Sequence, residues 1–214
     1  MADFRLIRIQ DSTSPLYAGA EKIWTESFPE CERRDASAER ICIDTDSRFV
    51  FNAVVLEGDA AGWSHDTSEV DAVGCGLDLS EADGFLSKGE TQPIVGLFSW
   101  WRLEGMVYGE HFAMSPAVRG KGIGAEVFRS VSETFRSENI PFVFEVESPD
   151  PSNPIKLRRI DFYRRCGMHL LDHHYFQPRY HEEDTPVPMR LMSSTLDINP
   201  AKAAAQIRSV YPVF

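Results

Sequence analysis

Cysteine is scarce: four residues, at positions 31, 42, 75 and 166, and no pair has the C-x-x-C spacing of a metal or redox site. So few thiols in a chain of this length cannot make a disulfide scaffold, and they are expected to be free in a reducing, cytoplasmic setting. Long apolar runs are missing too. Ile94–Trp101 is among the longest, far short of the ~20 residues of a membrane-spanning helix. The N-terminus carries Asp3 and no extended apolar stretch, so no secretory leader is expected. Positive charge is in deficit, with 22 Lys plus Arg against 33 Asp plus Glu and a formal net charge of −11. That excludes non-specific binding to nucleic acid or an anionic membrane over the whole surface. It leans toward a cationic or amine partner. Internal repeats and low-complexity segments are absent. What the chain does have is 43% hydrophobic and 11% aromatic residues, enough for a packed core. Its 214 residues suit a single domain with an insertion.

The pattern along the chain reads as mixed α+β. Alternation predicts strands over Phe4–Ile9, Arg48–Leu56, Ile94–Arg102, Met106–Met114, Pro141–Glu147, Met168–Phe176 and Val187–Met192. Helices are predicted over Pro15–Phe28, Asp35–Ile43, Gly122–Ser137 and Asn153–Cys166. The Gly122–Ser137 segment repeats Ile123, Val127, Val131 and Phe135 every four residues. A last Ala-rich helix, about 199–210, begins with Asn199 as cap and Pro200 in its first turn. Between them, 57–92 is rich in Gly, Asp, Glu and Ser. It reads as a long acidic insertion rather than a second domain.

One turn stands apart. Arg119-Gly120-Lys121-Gly122-Ile123-Gly124 lies between a predicted strand and a predicted helix. Its glycines leave backbone N–H groups open to close approach, the helix start adds the positive end of its dipole, and Arg119 and Lys121 add charge. Together these make an anion site suited to a diphosphate. The spacing is not that of a Walker A loop, because Ser115 stands where the first glycine belongs, and it lacks the full dinucleotide fingerprint.

These residues resemble the GNAT superfamily of N-acetyltransferases. Arg119, Gly122 and Gly124 match its Arg/Gln-x-x-Gly-x-Gly/Ala signature. Phe162-Tyr163-Arg164-Arg165-Cys166-Gly167-Met168 resembles its F-Y-x-x-x-G-F, with helix, strand and helix intervening. The resemblance covers roughly residues 4–192. It implies a mixed, mostly antiparallel sheet of six or seven strands flanked by helices, with a splayed strand pair that binds coenzyme A. It implies an acetyl-CoA-dependent acyltransferase acting on a primary amine, small molecule or peptide, by direct attack in a ternary complex. The alternative is a non-catalytic acyl-CoA-binding regulatory module of the same fold. A homodimer is common in the family.

On that resemblance, Phe112, Ala113, Met114, Arg119, Gly120, Lys121, Gly122, Ile123, Gly124 and Ala125 would contact the coenzyme. The Met114 N–H would stabilise the oxyanion. Strand alternation puts Tyr108, Glu110 and Phe112 on one face and His111 on the other. The resemblance implies a base on the face that includes position 110, so Glu110 is the expected base for the amine, with His111 second should a bulge re-aim it. Tyr163 is the expected acid toward the departing thiolate. Lys156, Arg158, Arg159, Arg164 and Arg165 put positive charge on one helix, some of it available to phosphates. The turn Phe28–Arg34 and the insertion are expected to line the acceptor pocket. His169, His173 and His174 fall on a predicted strand, where i and i+4 do not form a helical ligand pair, so no metal is expected.

Overall fold

The computed structural model describes residues 4–56 and 93–214. The acidic insertion at 57–92, with Cys75, lies outside the described residues. Among the described residues, eight strands form one sheet: β1 (Phe4–Ile9), β2 (Phe49–Leu56), β3 (Ile94–Leu103), β4 (Met106–Met114), β5 (Phe142–Glu147), β6 (His169–Leu170), β7 (Tyr175–Gln177) and β8 (Val187–Ser193). Their order is β1-β2-β3-β4-β5-β8-β6, with β7 also on β8. Every pairing is antiparallel except β4 with β5. The strand expected over Met168–Phe176 is two short ones, β6 and β7, each pairing β8 at a different place. His173 and His174 lie between them.

Helices cover both faces. On one side α1 (Pro15–Ser27), α2 (Ala36–Thr45) and α5 (Pro200–Arg208) bury Trp24, Ile43 and Ile207 against Phe51, Leu97 and Val143. On the other, α3 (Ile123–Ser137) buries the Ile123, Val127, Val131 and Phe135 stripe, and α4 (Pro154–Arg165) adds Ile160 against Phe98, Phe142 and Phe144. Full burial of an aromatic such as Phe128 or Phe135 is worth about 1.5–3 kcal/mol. All eight residues of β2 are buried, as a strand covered on both faces must be.

Three helix starts are capped locally, and two, those of α2 after Asp35 and of α3, have no side-chain cap. Asn153 and Asn199 each cap their helix from the side chain and each precedes a proline. Ser14 does the same for α1. Helix α3 instead begins at Gly122, whose φ is 83° and which has no capping side chain. Its first-turn N–H groups therefore depend on a partner from elsewhere.

Two irregularities in the central strands create the site. In the β3–β4 ladder Ser99 faces His111 but Trp100 faces Gly109, so Glu110 is an extra, bulged residue. And β4 pairs β5 over only Val107–Gly109 with Phe142–Phe144. Beyond that point β4 keeps its ladder with β3, β5 keeps its ladder with β8, and the two part. A Cβ at Gly109 would stand 2.8 Å from the Phe142 ring, so glycine is what allows the ring to lie across the last paired position.

Candidate active site

The parted strands open a cleft of about 880 Å³. Glu110–Met114 of β4 form one wall and Phe144–Glu147 of β5 the other. One end is bordered by Arg119, Phe128, Phe162 and Tyr163, the opposite end by Phe28, Pro29, Glu32 and Tyr180. The turn after α1 thus does reach the cleft.

At the first end, the glycine turn is open. Gly120 and Gly122 have φ of 78° and 83°, and nothing stands within 4 Å of where their Cβ atoms would be. Gly124 packs closely, with Met114 Cγ 3.2 Å from its Cβ position, which seats the first turn of α3 on the end of β4. Arg119 Nε donates to the Met114 carbonyl at 2.9 Å and ties the turn to the same strand end. The Ser115 N–H donates toward β3, to the Val95 carbonyl. Alternation then sends the Phe112 and Met114 N–H groups the other way, toward the cleft. An open left-handed glycine turn, an uncapped helix start and unpaired strand N–H groups fit the pyrophosphate and amide-bearing arm of coenzyme A. Of the basic residues of α4, Arg158 and Arg159 border the cleft, and Arg159 pairs with Glu147 at 2.5 Å. Arg164 pairs instead with Asp161.

Tyr163 lies on Phe144 and Phe128, with ring centroids 4.3 and 5.0 Å away. Burial pushes its phenol up to about 12, so it holds its proton at neutral pH.

The bulge rewrites the expected faces of β4. Glu110 and His111 now share the α1 side: His111 packs between Phe28 and Tyr180, and Glu110 reaches Trp101 and Tyr180. Phe112 turns to the α3 side, against Phe98 and Phe128. The alternation that grouped Phe112 with Glu110 fails because one extra residue resets the period of two.

Glu110 is also not free. Its side chain is fully enclosed and pairs with Arg34 at 2.6 Å, while Trp101 Nε1 donates at 2.9 Å and the Tyr180 hydroxyl at 3.0 Å. Burial opposes ionisation, but Arg34 and the Trp101 bond overcome it and hold the carboxyl below its ordinary value. Arg34 reaches Glu39 at 3.4 Å, donates to the Val210 carbonyl at 2.9 Å, and stands over the Trp101 ring. Glu39 has the opposite fate: burial lifts it to about 8, only partly offset by Arg34. His111 Nε2 lies 3.1 Å from the Glu32 carbonyl, so that nitrogen carries the hydrogen. Burial keeps the ring neutral. Glu39, Glu110 and His111 bring ligand atoms within 4.8 Å of one another, but the guanidinium of Arg34 already supplies their positive charge.

A second carboxylate was not foreseen. Glu145, the first β5 residue past the paired stretch, borders the cleft and accepts from the hydroxyls of Tyr108 (2.8 Å), Tyr211 (2.9 Å) and Tyr175. Burial raises it to about 7, against the lowering effect of the three phenols. A partial signal was present in the sequence: Glu145 and Glu147 share one face of the apolar run PFVFEVE. Arg34 gave no such signal, because Glu110 and Val210, its partners besides Glu39, are far along the chain.

This arrangement can be compared with known proteins. A model described as the acetyltransferase (GNAT) family matches residues 14–168. The chain belongs to the GNAT acetyltransferase family. Its fold superimposes on a protein of Bacteroides thetaiotaomicron described as a GNAT-family acetyltransferase, with a TM-score of 0.69, 27% identity, and 98% of this chain and 99% of that one covered. More distant is a spermidine N-acetyltransferase chimera from Vibrio cholerae and hSSAT, with TM-score 0.53, 12% identity, and coverage of 89% and 94%. The ribosomal-protein-S18-alanine N-acetyltransferase of Escherichia coli gives 0.51, 10%, and 93% and 96%. These last two share the fold. No curated protein matches the sequence. Among the described residues of this GNAT protein, no helix is long and apolar enough to cross a membrane.

Proposed function

We propose that this GNAT protein moves an acetyl group from acetyl-CoA to a primary amine within one ternary complex. The observation that carries the reading is the cleft where β4 and β5 part, opening directly beside the uncapped glycine start of α3. Gly120, Gly122 and the first turn of α3 would hold the pyrophosphate, with Arg119 and Lys121 beside it. Phe112, Ala113 and Met114 would receive the pantetheine arm along the exposed edge of β4. Ile123, Gly124 and Ala125 complete that wall. Acetyl-CoA supplies an activated acyl group.

The chain's own residues do the rest. The Met114 N–H offers a preorganised donor where negative charge develops on the acyl oxygen. Tyr163, protonated at neutral pH, gives its hydrogen to the departing sulfur. For Glu110 we propose a positioning role in place of the expected one as base. A carboxylate held low by Arg34 has little affinity for a proton at neutral pH. Phe28 and Tyr180 offer aromatic faces at the acceptor end, and Glu32 and Glu145 offer carboxyl groups, which suits an ammonium.

The test is incubation with acetyl-CoA and a panel of polyamines, aminoglycoside-type amines and lysine peptides, following thiol release and product mass. Acetylation of at least one amine is expected, with Tyr163→Phe lowering kcat while acetyl-CoA binding holds. Binding of acetyl-CoA with no amine acetylated would instead support the regulatory-module alternative.

A further inference from the structure

Resting on the acetyl-transfer reading, we propose that Glu145 takes the proton of the acceptor amine. In this proposal Tyr211 and Tyr180 connect it to Glu110 in a relay completed by the C-terminal segment. The contacts are continuous. Glu145 Oε2 lies 2.9 Å from the Tyr211 hydroxyl, that hydroxyl lies 3.2 Å from Tyr180, and Tyr180 lies 3.0 Å from Glu110 Oε1. Tyr108 joins at the same place, 2.8 Å from Glu145 and 3.0 Å from Tyr211. The Tyr211 segment also holds the far end, since the neighbouring Val210 carbonyl accepts from Arg34, the partner of Glu110.

Counting hydrogens shows what this chain can do. Each phenol has one to donate. With Glu145 ionised, Tyr108, Tyr175 and Tyr211 all donate to it, and Tyr180 donates to Glu110. The Tyr180–Tyr211 contact then has no hydrogen. Once Glu145 is protonated it must donate. Its Oε2–H turns to the Tyr211 oxygen, the Tyr211 hydrogen turns to the Tyr180 oxygen, and Tyr180 keeps its bond to Glu110. All three links are now filled. Both charge states of Glu145 are thus accommodated without orphaning a buried polar atom, which is what a group that must gain and lose a proton in a closed site needs.

The two carboxylates divide the work by their surroundings. Arg34 pins Glu110 as an anion. Glu145 faces three phenols and, through them, the charge of Glu110. Burial raises it to about 7, close to where a general base works best. The outermost charge on this cluster is Arg208, whose guanidinium stands 5.9 Å from the Tyr175 ring centroid.

The proton balance closes. Glu145 takes one proton from the ammonium, freeing the nitrogen lone pair. As the N–C bond forms and the C–S bond breaks, Tyr163 protonates the sulfur. The second proton lost by the nitrogen restores Tyr163, and Glu145 returns its proton to solvent.

The experiment pairs carboxyl carbon NMR titration of the free protein with pH profiles of kcat/KM for an acetylated amine. The proteins compared are the wild type, Glu145→Gln and Tyr211→Phe. Glu145 is expected to titrate near 7 in the wild type. Tyr211→Phe removes a donor to the ionised form and the acceptor of the protonated one, so titration and the acidic limb of the rate should move away from their wild-type positions together. Glu145→Gln should lose that limb and about 10²–10⁴ in rate, with acetyl-CoA binding retained. If Glu145→Gln fails to fold, Tyr211→Phe, which keeps its ring, decides the matter. Titration of Glu145 in the ordinary carboxylate range overturns the relay, as does an unmoved rate profile in Tyr211→Phe. Absence of any transfer by the wild type overturns the acetyl-transfer reading instead.

Discussion

Replacing Arg34 with methionine removes the guanidinium that pairs with Glu110 at 2.6 Å and stands over the Trp101 and Tyr180 rings, while keeping an unbranched apolar stem in its place. The arginine is 3% exposed and the Glu110 side chain fully enclosed. Removing one partner from a buried pair costs about 3–5 kcal/mol, because the other charge is left uncompensated. For a chain of this size each kcal/mol moves Tm by about 2–4 °C, so a fall of roughly 6–20 °C is expected. The defect should depend on pH in a defined direction. Without Arg34, burial governs Glu110 and lifts its folded value above the unfolded one. Such a group loses stabilisation as pH rises through the folded value, so the defect should be smaller near pH ~5 than near pH ~8. Adding Glu110→Gln removes the stranded charge and should restore at least half of the loss. Thermal and urea melts of the single and double variants at both pH values test this. A single-variant cost under ~1 kcal/mol, or a double variant no more stable than the single, would refute the argument.

Two further outcomes follow from the same geometry. Gly109→Ala places a methyl group 2.8 Å from the Phe142 ring at the last paired residue of β4 and β5. A cost of about 1–3 kcal/mol in urea melts is expected for that overpacking, together with weaker acetyl-CoA binding as the strand edge shifts. Glu39, lifted to about 8 by burial, favours the folded state in its protonated form, so its contribution falls as pH rises from the ordinary carboxylate range to about 8. Glu39→Gln mimics the protonated form and should flatten the upper part of that decline, read as Tm against pH above the range in which Glu145 titrates.

The layout of the fold was legible because it rests on local signals. The four-residue repeat gives α3, Asn-Pro pairs give the starts of α4 and α5, and the hairpin turn at Glu104-Gly105 is where β3 and β4 join, with Gly105 at φ 72°. The glycine turn after β4 was legible for the same reason. The bulge at Glu110 was not, since it is set by the register of β4 on β3 and reverses the faces that plain alternation assigns. The hub around Arg34 was hidden because it joins the segment after α1, α2, β4 and the C-terminal segment. The meeting of the Tyr180 and Tyr211 hydroxyls was hidden as well, because the two residues are 31 positions apart and meet only through the fold. The tail after the final helix reaches Glu145 through Tyr211 and reaches Glu110 only through Arg34, which donates to the Val210 carbonyl, and through Tyr180.

The most direct test of the account is thermal stabilisation by acetyl-CoA, compared with ATP and NAD, in the wild type and in Gly122→Trp. The space around the Gly122 Cβ position is open and its φ of 83° disfavours any side chain, so tryptophan there both crowds and strains the cradle without entering the core. A ligand at 100 times its Kd stabilises by about 2.7 kcal/mol. The account predicts that shift for acetyl-CoA, little for ATP or NAD, and its loss in the variant. No shift with acetyl-CoA at millimolar concentration, or an equal shift in the variant, would contradict it.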